Sequence, residues 1–161
     1  GKQPRFLPKS LRENIDIIND KVYNCVNNGV YRCGFATSQS AYAKAYTSLF
    51  SALDDIENIL SETLFLCGGT ITEADWRLFT TLIRFDSVYH GHFKCNKQRI
   101  EDYPNISNYL RHLYQWPGVA ETVNFEHIKR HYYFSHTNIN PTQVVPVGPE
   151  IDYMRPHNRN T

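Results

Sequence analysis

The sequence predicts an all-α fold of about six helices in one bundle, followed by an extended C-terminal tail. Three observations carry that expectation. Apolar side chains recur every three or four residues from Tyr42 to Leu60, the period of one helical face. Thr72 stands three residues ahead of Asp75 at the head of an aromatic-rich stretch, the spacing of a reciprocal helix cap. No stretch alternates apolar and polar residues over the length of a strand, and no internal repeat or low-complexity tract interrupts the chain. With 161 residues and 41% hydrophobic content, the chain can bury the core of one ordinary domain.

Gly1 to Pro8 holds two prolines and mixed charge and reads as a linker that ends at Lys9. Ser10 and Glu13 repeat the capping-box spacing. Leu11, Ile15, Ile18, Val22 and Val26 follow at helical intervals with Tyr23 alongside. Asn27-Asn28-Gly29 tolerates left-handed backbone and marks the end of that helix. Val30 to Ala36 is then a short connector carrying Tyr31 and Cys33. Thr37 or Ser38 caps the long helix of Tyr42, Tyr46, Leu49, Phe50, Leu53, Ile56 and Leu60. Gly68-Gly69 punctuate the chain before the Thr72 cap. Ile71 and Trp76 hold the N′ and N4 positions of a hydrophobic staple around that cap. Trp76, Leu78, Phe79, Leu82, Ile83 and Phe85 make the next helix apolar around most of its circumference, which puts it in the middle of the bundle. Asp75 is accordingly a cap and not a catalytic acid.

Helical character weakens at Gly91, within the run from Asp86 to Cys95. Pro104 at a first helical position opens a helix with Ile106, Tyr109, Leu110 and Leu113 on one face, and Trp116-Pro117-Gly118 stops it. Val119 to Val123 makes one short turn. Asn124 caps a last helix through Phe125, Ile128, Tyr132 and Tyr133. From Ser135 onward, prolines at 141, 146, 149 and 156 exclude a helix and leave a tail that is loose or laid over the bundle.

A net charge of +1, with both signs interspersed, lacks the basic face a nucleic-acid partner would need. No apolar run approaches the roughly 20 residues of a membrane span, and no export signal is present. Four widely spaced cysteines, Cys25, Cys33, Cys67 and Cys95, then read as reduced thiols in a cytoplasmic protein. His90, His92 and Cys95 suggest a metal site, but their spacing fits no established finger and a fourth ligand is wanting, so no metal is expected. Cys33 has Arg32 beside it, whereas Cys25 and Cys67 read as packing residues. The acidic pairs Asp54-Asp55 and Glu101-Asp102 read as solvated surface. No phosphate loop, nucleophile elbow or metalloprotease motif occurs. What remains is tyrosine, 11 in all. Tyr31 in its connector, Tyr89 after the central helix and Tyr132 on the last helix could donate a proton to a developing carbanion or hydrogen-bond a thiolate. Residue physics alone leaves each a packing aromatic.

The T-E-A-D cap with its aromatic helix resembles the C-terminal helical domain of glutathione transferases. Three longer stretches narrow the likeness: VNNGVYRCGFATSQSAY (Val26 to Tyr42), TEADWRLFTTLIRFDSVYHGHFKCN (Thr72 to Asn96), and YQWPGVAETVNFEHIKRHYYFSH with the NINPT run that follows (Tyr114 onward). In combination they resemble the glutathionyl-hydroquinone reductases, the xi class of that superfamily, from about Ile15 to Pro149.

The resemblance implies glutathione-dependent reduction of glutathionyl-hydroquinones. The nucleophilic cysteine and most of the glutathione site would lie in an N-terminal thioredoxin-like domain that precedes this chain. Cys33, inside the helical domain, is not that nucleophile. By the same resemblance Tyr31 is the proton donor to the leaving hydroquinone carbon, and Tyr89 and Tyr132 lower the pKa of the catalytic thiol. A homodimer through the helical domain (residues 10–134) is implied, with residues 135–161 as the family's C-terminal extension and no activity in this piece alone. The alternative is a non-catalytic helical module kept for dimerisation or partner binding.

Overall fold

The computed structural model describes residues 9–159, so the segment Gly1 to Pro8 and the side chains of Lys9, Ser10 and Leu11 lie outside the described residues. Lys9–Lys21 (α1), a π-helical turn Val22–Asn27 and Asn28–Phe35 (α2) follow one another without a break. The Ser10–Glu13 cap read in the sequence lies outside the described residues, because the Ser10 side chain is not among them. One expectation is corrected here. Asn27-Asn28-Gly29 does not end the helix, and Tyr31 stands on α2 instead of in a connector. The reason is tertiary. Gly29 is buried with ordinary helical backbone, and Leu49 of the next helix stands 3.7 Å from where its Cβ would be, so the segment is held as helix by its packing. Asn27 turns its amide onto the central helix, donating to the Arg77 carbonyl at 3.3 Å and accepting from the Thr81 hydroxyl at 2.6 Å.

Ser38 caps α3 (Gln39–Glu62) by accepting from the Ala41 amide at 3.1 Å. Leu49, Phe50, Leu53 and Ile56 on its inner face are all but fully buried, each contributing about 1.5–3 kcal/mol by leaving water. Among the described residues there is no strand, only an isolated bridge between Phe65 and Gly68, whose φ of +116° suits glycine. Glu73–Arg84 (α4), the π turn Phe85–Tyr89 and His90–His92 (α5) again run on continuously. The capping box at Thr72 is present, and Asp75 does more than cap. Its fully buried carboxylate accepts from the Thr72 amide (2.8 Å), the Leu66 amide (3.0 Å) and the Tyr109 hydroxyl (2.8 Å), tying the turn and two helices to one point.

Pro104 opens α6 (Pro104–Tyr114), whose first amides are met from another helix: the Glu57 carboxylate accepts from the Asn105 and Ile106 amides at 2.9–3.2 Å. A 3-10 turn, Ala120–Thr122, precedes α7 (Phe125–Ser135), capped by Asn124 through the His127 amide. The tail lies over the bundle. Tyr153 is buried against Phe125 and Tyr114, and Gln115 donates to the Tyr153 and Arg155 carbonyls. Arg155 pairs with Glu101 at 2.8 Å, so Glu101 is a tail anchor and not the solvated residue its sequence setting suggests. The resulting bundle with its extended tail is the all-α fold expected.

Candidate active site

Tyr31, Tyr89 and Tyr132 come from three different helical segments and meet. The hydroxyl of Tyr132 lies 2.6 Å from that of Tyr31 and 2.9 Å from that of Tyr89. Two irregular turns set this up. The π turn at Val22–Asn27 precedes Tyr31, and the π turn at Phe85–Tyr89 ends on Tyr89 itself. Such insertions re-aim the side chains that follow them and recur at functional sites. Phe93, fully buried, packs on all three rings at centroid distances of 5.3–6.1 Å. Gly34 makes room for it, because a Cβ there would fall 2.2 Å from the Phe93 ring.

The three phenols differ in exposure. Tyr89 is 2% exposed, Tyr132 8% and Tyr31 39%. Each hydroxyl has one proton to give. With Tyr89 sealed in the interior, the arrangement that uses both contacts and leaves a proton at the surface runs Tyr89 to Tyr132 to Tyr31. Burial drives the Tyr89 hydroxyl far above the ordinary phenol range, as does its bond to Tyr132. Burial and donation to Tyr31 push Tyr132 up to about 12, opposed by the bond from Tyr89 and the charge of Arg84. Tyr89 and Tyr132 are therefore protonated at neutral pH, and the relay they form ends at the Tyr31 hydroxyl.

Tyr31 faces two pockets. On one side is an open groove of about 850 Å³ floored by Phe35, Ala36, Ala41 and Ala45, with Arg32 and Lys44 on its walls. On the other is a smaller polar pocket of about 300 Å³ lined by Asn28, Thr80, Arg84, Tyr89 and Tyr132. An apolar ring fits the first and can put an atom beside the Tyr31 hydroxyl. Arg84 and Asn28 were not legible as site residues, since an arginine at a helix end and an asparagine before glycine carry ordinary structural explanations.

The histidines and cysteines are used otherwise. His92 bonds His136 at 3.0 Å, and burial, followed by the charge of His136, lowers it to about 4. Cys95 is buried, its thiol directed at Cys33 and at the Val30 and Phe93 carbonyls. Among the described residues no group of three His, Cys, Asp or Glu side chains could hold a metal ion. The Cys33 thiol is lowered by its bond from Cys95 and by Arg32 against the effect of burial, and it is 3% exposed. All four cysteines are free thiols. Among the described residues no helix is long and apolar enough to cross a membrane.

Residues 39–112 match the family described as the C-terminal domain of glutathione S-transferase. A glutathionyl-hydroquinone reductase of Escherichia coli K12 is 52% identical over 160 residues, covering 99% of this chain and 49% of the relative. The glutathione-bound structure of a glutathione transferase homolog from E. coli K-12 superposes with a TM-score of 0.92 at 51% identity, covering 98% of this chain and 52% of that one. A Xi class transferase from Natrialba magadii gives 0.91 at 48% identity, with 94% and 46% covered. The chain thus spans about half the length of the relatives it matches. A shared fold, with about half of all residues identical along nearly the whole chain, shows that it belongs to the glutathione transferase family as a C-terminal helical domain of the xi class.

Proposed function

We propose that this chain is the C-terminal part of a glutathionyl-hydroquinone reductase, which uses glutathione to convert glutathionyl-hydroquinones to hydroquinones and releases glutathione disulfide. The observation that carries the reading is the chain of three tyrosine hydroxyls that ends beside a groove sized for an aromatic ring. In this reading residues 1–9 link to an upstream thioredoxin-like domain that holds the nucleophilic cysteine and most of the glutathione site, and residues 135–161 form the extension over the bundle. The protein works as a cytoplasmic homodimer joined through the helical domain, and this piece alone carries no reduction.

The upstream thiolate attacks the glutathionyl sulfur. The sulfur–carbon bond breaks, its electron pair stays on the ring carbon, and Tyr31 delivers the proton that makes the hydroquinone. The cysteine is left as a mixed disulfide with glutathione. A second glutathione thiolate displaces it, giving glutathione disulfide and the free thiolate, and the proton that this glutathione loses replaces the one that left Tyr31. Tyr89 and Tyr132 lower the thiol's pKa when one of them turns its single proton from the relay to the thiolate, since a hydroxyl directed at a thiolate favours the charged form. Their bonds to each other and to Tyr31 make both roles parts of one network.

The test is the full-length enzyme, wild type and Tyr31→Phe, assayed on a glutathionyl-hydroquinone with the fold checked by circular dichroism. We expect kcat to fall at least tenfold, the loss of a general acid being worth about 10²-fold or more. Undiminished turnover in the Phe variant removes Tyr31 from the chemistry. Two folded but inactive proteins would point to a helical interaction module instead.

A further inference from the structure

Arg84 is a cation that the reaction above leaves without a task. It is the last residue of α4, at the step into the π turn that delivers Tyr89, so one backbone irregularity sets both side chains. Arg77, Arg99 and Arg155 each face a carboxylate among the described residues, whereas Arg84, like Arg32 in the groove and several other arginines, faces none, and Arg84 is the one that shares a pocket with all three tyrosines. Among the described residues its hydrogen bond runs from Nη1 to the Thr80 carbonyl at 2.8 Å, which holds the guanidinium without neutralising it. The side chain is half-buried and lines the polar pocket together with Asn28, Tyr31 and Tyr132. A partly desolvated guanidinium without a counter-charge is costly, and its planar array of donors suits a carboxylate or an ionised oxygen. Tyr31 belongs to this pocket and to the apolar groove alike. A ring seated against Tyr31 in the groove can therefore send a substituent past the hydroxyl toward Arg84.

We propose that Arg84, helped by the amide of Asn28, is an anion subsite that receives an acidic substituent on the hydroquinone ring, so that the domain favours carboxylated or otherwise ionised hydroquinones. The inference rests on the proposed hydroquinone pocket and adds the substrate class. Arg84 on this view is a specificity residue, acting on the ring's substituent while Tyr31 acts on the carbon that loses sulfur.

Two measurements on the full-length enzyme test it. The first is calorimetric binding of 2,5-dihydroxybenzoate and of methylhydroquinone to wild type, Arg84→Gln and Arg84→Lys. The ratio of affinities, carboxylated over methylated, should drop at least tenfold in the Gln variant, the scale of one charge-assisted hydrogen bond. Lys should restore part of it by keeping the charge without the fork. The second is the ratio of kcat/KM for the glutathionyl conjugates of the same two rings, which should shift the same way and mainly through KM. Equal losses for both rings would make Arg84 a structural tie to Thr80 and overturn the proposal. So would unchanged ratios, or a rise confined to the KM for glutathione. Binding without turnover in the wild type separates the two readings: the ratio of affinities still decides for or against the subsite, while the reductase reading fails.

Discussion

Among the described residues two networks of tyrosine hydroxyls run into the interior of this bundle, and they do opposite things. Tyr109 is fully buried and donates to the Asp75 carboxylate, which also takes the Thr72 and Leu66 amides. That network closes on itself: every donor ends on one interior anion. The Tyr89–Tyr132–Tyr31 network has no anion inside and ends at a hydroxyl that borders two pockets. Burial and good hydrogen-bond distances are common to both, so neither marks function. What separates them is where the last proton points. A network that terminates on a carboxylate stabilises; one that terminates at a groove can give its proton away.

The largest expected effect is at the closed network. Asp75→Ala strands two backbone amides and a phenol in the interior, each unsatisfied group costing about 1–3 kcal/mol, for a total on the order of 4 kcal/mol in urea unfolding. A loss below 1 kcal/mol would mean that this network is not the structural hub. Gly34→Ala comes next and crosses between the regions. The new methyl drives into the Phe93 ring, costing about 1–3 kcal/mol by overpacking, and it should lower turnover as well because Phe93 backs all three tyrosines. Unchanged kcat in a destabilised variant would show that the triad tolerates a moved support.

The sharpest contrast is Tyr109→Phe against Tyr132→Phe. The first removes a hydrogen bond to a charged acceptor, worth about 1.5–3 kcal/mol, and should spare the kcat of the folded enzyme. The second breaks both hydroxyl contacts of the relay and should cut kcat severalfold for about 1 kcal/mol of stability. If the two variants showed the same pattern, the distinction between closed and open networks would be lost.

The closed network was largely legible in the sequence, because Thr72, Asp75 and the aromatic helix after them are local in the chain. Ser38, Asn124 and Pro104 were legible for the same reason. The open network was not. Its hydroxyls join residues 101 and 43 positions apart, so position along the chain marked the three tyrosines only as candidates and the family resemblance alone gave them roles. The stop read at Asn27–Gly29 shows why local rules fail there. Those residues do suit a helix end, but Asn27 is engaged by α4 and Gly29 by Leu49, contacts that exist only once the bundle forms. Arg84 was not legible for a related reason: that it faces no carboxylate among the described residues depends on its surroundings and has no sequence signature.

The smallest expected effect concerns a histidine beneath the tail. His112 is held neutral under the tail: burial, then the Arg159 charge, lower it to about 4. Its Nδ1 accepts from Arg159 Nε at 3.0 Å, and His157 stacks on its ring at 4.6 Å. In the unfolded chain the same imidazole takes a proton near its ordinary value of about 6.5. The unfolded state therefore binds the proton first, so the stabilisation is complete above about pH 6.5 and is lost as pH falls from there toward 4. The melting temperature should be flat from pH 8 to 7 and decline by a few degrees by pH 5. His92, lowered to a similar value beside the active site, contributes to the same decline. His112→Gln, which keeps a neutral acceptor for Arg159 at every pH, should remove part of the slope and leave kcat unchanged. A slope identical in the variant would assign the acid sensitivity to the His92–His136 pair, and with it to the tyrosine end of the molecule.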